Sequence, residues 1–132
     1  MEVSLVNLAA VDSVAIRRRA EAAGMDLIGT MGLPKDKGLA TADPAIREQT
    51  VAFLKAAVEA ARDMGARHFG GMLYAVPGRF SGRGPTADEL RWLVESLSEV
   101  AGFAQGCDVT ILVEPVNRYE TYLLNTAAQA QA

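Results

Sequence analysis

The stretch VTILVEPVNRYETYLLN, residues 109–125, begins as an apolar run from Val109 to Val113 and delivers a carboxylate at Glu114. It then breaks into Pro115 and a polar cluster of Asn117, Arg118 and Glu120. Side chains alternate across a strand, so Val109, Ile111 and Val113 share one face while Thr110, Leu112 and Glu114 share the other. Proline has no N–H to give to a ladder, which sets the end of the strand near Glu114. A carboxylate taken out of water there is costly unless a cation, a metal or hydrogen-bond donors meet it. On pattern alone two readings stand side by side: a functional carboxylate at a strand end, or a structural ion pair with Arg118.

The same plan recurs upstream. AEAAGMDLIGTMG (20–32), ARDMGARHFGGMLY (61–74) and AQGCDVTILVEP (104–115) each run from a helical stretch through a glycine into an apolar strand. The glycines, Gly24, Gly65 and Gly106, are spaced 41 and 41 apart, as expected of helix C′ positions in a reused unit. Asp43 and Pro44 provide an N-cap and a favoured first-turn proline for a helix over about 44–64. Thr86 and Glu89 form a capping box that opens a helix over about 86–105. A shorter helix starts near Asp12 or Ser13 and carries Arg17 to Arg19 on a solvated face.

Strands are predicted near 2–6, 26–32, 67–74 and 109–114, as continuous apolar runs of the kind found when both faces are covered. Strands alternating with helices predict right-handed βαβ units and a parallel α/β sheet. Two architectures fit: a flavodoxin-like open sheet complete in itself, or part of an eight-stranded barrel, which usually needs about 250 residues. Both place ligands at the carboxyl ends of the strands, where Glu114 sits.

Composition narrows the function classes. With 132 residues, 50% hydrophobic and 22% charged, the chain fits one compact domain. A net charge of −3 and a pI near 5.1 leave no basic stripe to steer toward nucleic acid. A single cysteine, Cys107, excludes an intrachain disulfide and any multi-cysteine metal knuckle, and is read as inert. At the N-terminus Glu2 precedes the apolar part and the arginines follow it, the reverse of a secretory signal. No apolar run approaches the ~20 residues of a membrane span. A soluble, cytoplasmic protein with neither nucleic-acid nor membrane partners is expected.

LVEPVNRYETYLLNTAAQA (112–130) resembles the strand-5 segment of the ketose 3-epimerases, the D-tagatose and D-psicose group of the xylose-isomerase-like TIM-barrel sugar isomerases. GLPKDKGLATADPAIREQT (32–50) is similar to that family's loop after strand 3, and FGGMLYAVPG (69–78) to its strand 4. The resemblance favours a partial, half TIM barrel over the flavodoxin-like sheet. It puts Met1 at family strand 2 and Ala132 in helix 5, with four parallel strands in sequential order and helices on one face. It also implies roles. Glu114 would be a metal ligand and one of two glutamates exchanging the proton at carbon 3 of a ketose. Glu120, with Asn117 and Arg118 beside it, would contact the sugar. Inverting a hydroxyl-bearing carbon next to a ketone requires proton removal on one face and return on the other, with a divalent metal stabilising the enediolate. Oxygen-rich ligation suits Mn²⁺ or Mg²⁺, with Co²⁺ a further option.

Departures from the family pattern are specific. Its other metal ligands come from strands 6, 7 and 8, beyond the segment the resemblance covers. His68 opens a strand at the amino end, the wrong rim for catalysis. Val76 stands where these enzymes commonly carry a tryptophan, and Trp92 lies on a helix as packing. The loop PGRFSGRGPT (77–86) carries Arg79 and Arg83, either as anchors for a sugar phosphate or as part of a mobile connection; Lys35, Asp36 and Lys37 are solvated charges. A half barrel exposes two sheet edges and an apolar inner face, so self-association into a homo-oligomer is expected, with a non-catalytic assembly unit as the rival role.

Overall fold

The computed structural model describes residues 1–131. Its four strands are β1 (Glu2–Ser4), β2 (Ile28–Gly32), β3 (His68–Met72) and β4 (Thr110–Val113), all parallel and hydrogen-bonded in the order β1-β2-β3-β4. That order is the barrel progression; a flavodoxin-like sheet would have to reverse once, so the alternative falls. The intervening helices are α1 (Ser13–Ala22), α2 (Pro44–Asp63) and α3 (Ala87–Gly106), followed after β4 by a short α4 (Ala127–Gln131).

Local chemistry sets the boundaries. The Asp12 carboxylate accepts from the Ala15 N–H at 2.9 Å to start α1, and the Asp43 carboxylate accepts from Ala45 N–H at 2.9 Å to start α2 at Pro44. Both halves of the expected capping box open α3, with Thr86 as N-cap and Glu89 reaching back to it. The strands are shorter than the apolar runs that encode them. In β3 the ladder ends at Met72, one residue after Gly71, which adopts φ +114, a conformation side chains rarely take. The chain turns there, and Leu73, Tyr74, Ala75 and Val76 stay buried without being strand.

The glycine repeat needs one correction. Gly24 and Gly65 do sit at C′ in the left-handed region, with φ +63 and +84. Gly106, however, is the last residue of α3, and the third C′ is Asp108 at φ +56. Aspartate fills the place because its short side chain tolerates that region better than most.

Helices cover one side of the sheet. Met31 and Phe69 are buried against Val51, Leu54, Val58 and Val100 of α2 and α3, and Val3 and Ile111 pack against the same cluster. Gly29 lets α2 approach: a Cβ there would lie 2.8 Å from Leu5 Cδ1 and 3.2 Å from Met64 Cε. The other side is left open at Leu112, which is exposed. The register aligns Ser4, Thr30, Gly70 and Leu112 in one row across that open face.

Candidate functional site at the carboxyl rim

Glu114 follows β4 directly, and its N–H still donates to the Gly71 carbonyl at 3.1 Å, so the ladder fixes its backbone. Alternation from Leu112 carries its side chain to the open face, where it is solvent-exposed. A groove on that face is lined by Ser4, Thr30, Gly70, Leu112, Glu114 and Glu120, among others. Gly70 is required beneath it: a Cβ would stand 2.7 Å from Leu112 Cβ.

The segment after Pro115 is a built turn. Asn117 Oδ1 accepts from Tyr119 N–H at 2.8 Å, the Asn117 carbonyl accepts from Glu120 N–H at 3.0 Å, and Asn117 Nδ2 donates to Glu120 Oε1 at 2.5 Å. The Glu120 carbonyl takes the Gly78 N–H at 2.8 Å, tying this turn to the loop after β3. The structure therefore brings Glu114 and Glu120 to one groove and uses Asn117 to orient Glu120. Arg118 is exposed, does not line the groove, and among the described residues makes neither an ion pair with Glu114 nor any side-chain hydrogen bond.

Two residues that sequence reasoning left aside hold this rim. Tyr74 is fully buried, and its hydroxyl lies 3.0 Å from both the Glu114 and the Leu124 carbonyl oxygens. Burial, with the negative charges of Glu114 and Glu120 adding, pushes its pKa up to about 12. Glu89, expected only as a capping residue, is a buried hub. It accepts from Arg83 at 2.8 and 3.3 Å, from Thr86 N–H at 2.7 Å, from Thr86 Oγ1 at 2.9 Å and from Tyr122 Oη at 2.8 Å. The Arg83 guanidinium first, and these donors after it, hold the Glu89 carboxyl at about 2, against the opposing pull of burial. The only advance signal was the capping box itself.

The loop arginines are consequently committed inside the protein. Arg83 serves Glu89, and Arg79 donates to the carbonyls of Lys35 and Lys37 (3.1 Å to the latter), so neither is held in reserve for a sugar phosphate. Lys37 pairs with Asp36 at 2.6 Å and stands over the Phe53 ring. Trp92 is half-buried between Arg47 and Arg91, a packing role. A cavity of about 1300 Å³ lies at the amino end of the strands, lined by Arg17, Arg62, Arg67, His68 and Cys107 among others. Arg17 pairs there with Glu21 and Arg62 with Asp63, and the rim carboxylates are at the other end.

A divalent metal is the group the resemblance implies. Among the described residues no three His, Cys, Asp or Glu side chains gather closely enough to hold one. A hard divalent ion takes six or more oxygen ligands, so Glu114 by itself does not make a metal site.

Parallel strands in chain order with helices packed on one side define a segment of a βα-barrel, a fold in which ligands bind at the carboxyl ends of the strands. The chain belongs to the xylose isomerase-like TIM barrel family, whose profile it matches over residues 4–132. It is 36% identical over all 132 residues to an L-ribulose 3-epimerase of Mesorhizobium japonicum, covering 44% of that protein. It is 30% identical over 118 residues, or 89% of the chain, to a D-psicose 3-epimerase of Agrobacterium fabrum, covering 41% of it. A solved L-ribulose 3-epimerase superposes on 98% of the chain with a TM-score of 0.89 at 32% identity, through 43% of its own length. The chain thus spans less than half the length of these relatives.

Proposed function

We propose that the activity to which this chain contributes is 3-epimerisation of a ketose, assisted by a divalent metal. The observation that carries the reading is the arrival of Glu114 and Glu120 at one groove on the carboxyl rim, in a chain whose relatives are named as ketose 3-epimerases. Glu114, exposed on a backbone held by the ladder, is placed to take the proton from carbon 3 of the sugar. Return on the opposite face needs a second carboxylate, which comes from outside the described residues. Glu120, oriented by Asn117, accepts hydrogen bonds from a substrate hydroxyl. Mn²⁺, before Mg²⁺ or Co²⁺, would supply charge stabilisation for the enediolate, with Glu114 as one of several ligands. The substrate class is a free ketose such as D-psicose, D-tagatose or L-ribulose.

The test is proton exchange at carbon 3 in heavy water, followed by NMR with D-fructose, D-psicose, D-tagatose and L-ribulose. The 132-residue chain alone is expected to bind Mn²⁺ weakly by calorimetry and to exchange nothing. Joined to the remaining barrel strands of a close relative, it should gain metal binding and exchange together, and Glu114→Gln should remove both. Undiminished exchange by the Gln variant would overturn the assignment.

A further inference from the structure

β3 has a strand on either side, so the loop that follows it, residues 73–86, lies between the loops after β2 and β4. It holds both. The Leu33 N–H donates to the Ala75 carbonyl at 3.2 Å, and the Gly78 N–H donates to the Glu120 carbonyl at 2.8 Å. Those are backbone contacts, open to most sequences. One contact toward the loop after β4 depends on the side chains at both ends: Tyr122 Oη donates to Glu89 Oε1, in the first turn of α3, at 2.8 Å.

We propose that Tyr122 is a positioning residue for Glu120, and that its hydroxyl on the buried Glu89 carboxylate sets where Glu120 meets the sugar. This role rests on the reading of Glu120 as a substrate contact.

Glu120 is exposed, and the side-chain partner it has is the Asn117 amide. Asn117 belongs to the same turn, so it orients Glu120 within the turn without fixing the turn against the barrel. Tyr122 supplies that outer fix. Its ring is partly buried beside the cluster of Met72, Tyr74, Leu93 and Leu123, and its hydroxyl ends on α3. Two residues of chain span at most about 7 Å, so a displaced Tyr122 carries Glu120 with it. A hydrogen bond to a sugar hydroxyl tolerates only about half an ångström of drift.

Glu89 is suited to be the fixed end. Arg83 and Thr86 hold it independently of Tyr122, so Tyr122→Phe subtracts one charge-assisted contact and leaves the start of α3 intact. Burial, with the hydrogen bond to Glu89 adding, pushes Tyr122 up to about 12, while the Glu89 carboxyl lies at about 2. At any pH in between, the donor keeps its proton and the acceptor its charge.

Amide exchange followed by NMR needs no turnover, and is read both on the 132-residue chain and on the barrel completed with a relative's strands. Tyr122→Phe should speed exchange at Gly78 ~10-fold, while Leu90 in the first turn of α3 keeps the parent rate. In the completed barrel the same variant should raise KM ~5-fold for the ketose that exchanges at carbon 3, with kcat within ~2-fold of the parent, since Glu120 holds the sugar alike before and during the reaction. Glu120→Gln should raise KM further. Adding Tyr122→Phe to Glu120→Gln should then raise it by less than ~2-fold more, because the tyrosine acts through the glutamate. KM factors that multiply in the double variant, or an unchanged Gly78 exchange rate in Tyr122→Phe, would overturn the proposal. Absence of carbon-3 exchange in the completed parent barrel with every ketose would instead overturn the epimerase reading, and the Gly78 rate then decides the positioning role by itself.

Discussion

Replacing Glu89 by glutamine isolates the charge of the hub from its shape. Arg83 and the other donors lower the carboxyl from 4.5 to about 2. Each pKa unit is worth about 1.4 kcal/mol, so the full linkage comes to roughly 3 kcal/mol. The Arg83 side chain is 53% exposed, and solvent screening reduces the net effect to about 2 kcal/mol. A folded-state value below the unfolded one stabilises above the unfolded pKa and is lost as pH falls through the folded one. The contribution is therefore complete at pH 7, less than half remains at pH 3, and little survives at pH 2. Glu89→Gln should be about 2 kcal/mol less stable than the parent in urea at pH 7, with the gap more than halved at pH 3. Equal gaps at the two pH values, or no gap at pH 7, would refute the assignment of the carboxylate as a charged hub.

Two further substitutions test the backbone. Gly71→Ala should destabilise by at least ~2 kcal/mol in the same denaturation assay, because φ +114 is strained for alanine and its Cβ would collide with the Met31 carbonyl oxygen. Asp108→Gly should stabilise by up to ~1 kcal/mol, measured as a raised urea midpoint, since glycine carries no penalty at φ +56.

What the sequence disclosed depended on how local the cause was. Asp43–Pro44 and Thr86–Glu89 carry their signals within a few residues, and both helices begin where those signals stand. The facing of Glu114 followed from alternation over Val109–Val113 and from Pro115, again a local matter. The strand order came from the resemblance rather than from periodicity, which left two architectures standing. Tyr74 and Tyr122 were out of reach because their partners lie 50 and 33 residues away, at distances no spacing rule covers. Gly106 misled because a glycine at the right interval looks like a C′ residue whether or not its φ is positive; the helix takes in Gly106 as its last residue, Cys107 is the C-cap and Asp108 the C′ residue.

The Tyr74 hydroxyl touches the chain at Glu114 and again at Leu124, and so closes the intervening segment into a ring. A free loop of that length samples many end-to-end separations, and bringing its ends together lowers its entropy by an amount that grows only with the logarithm of its length. In the folded protein that entropy has already been lost, to a buried phenol rather than to an incoming molecule. Whatever the rim receives therefore meets Asn117 and Glu120 on a closed ring, and little of its binding free energy goes into ordering the chain that holds them.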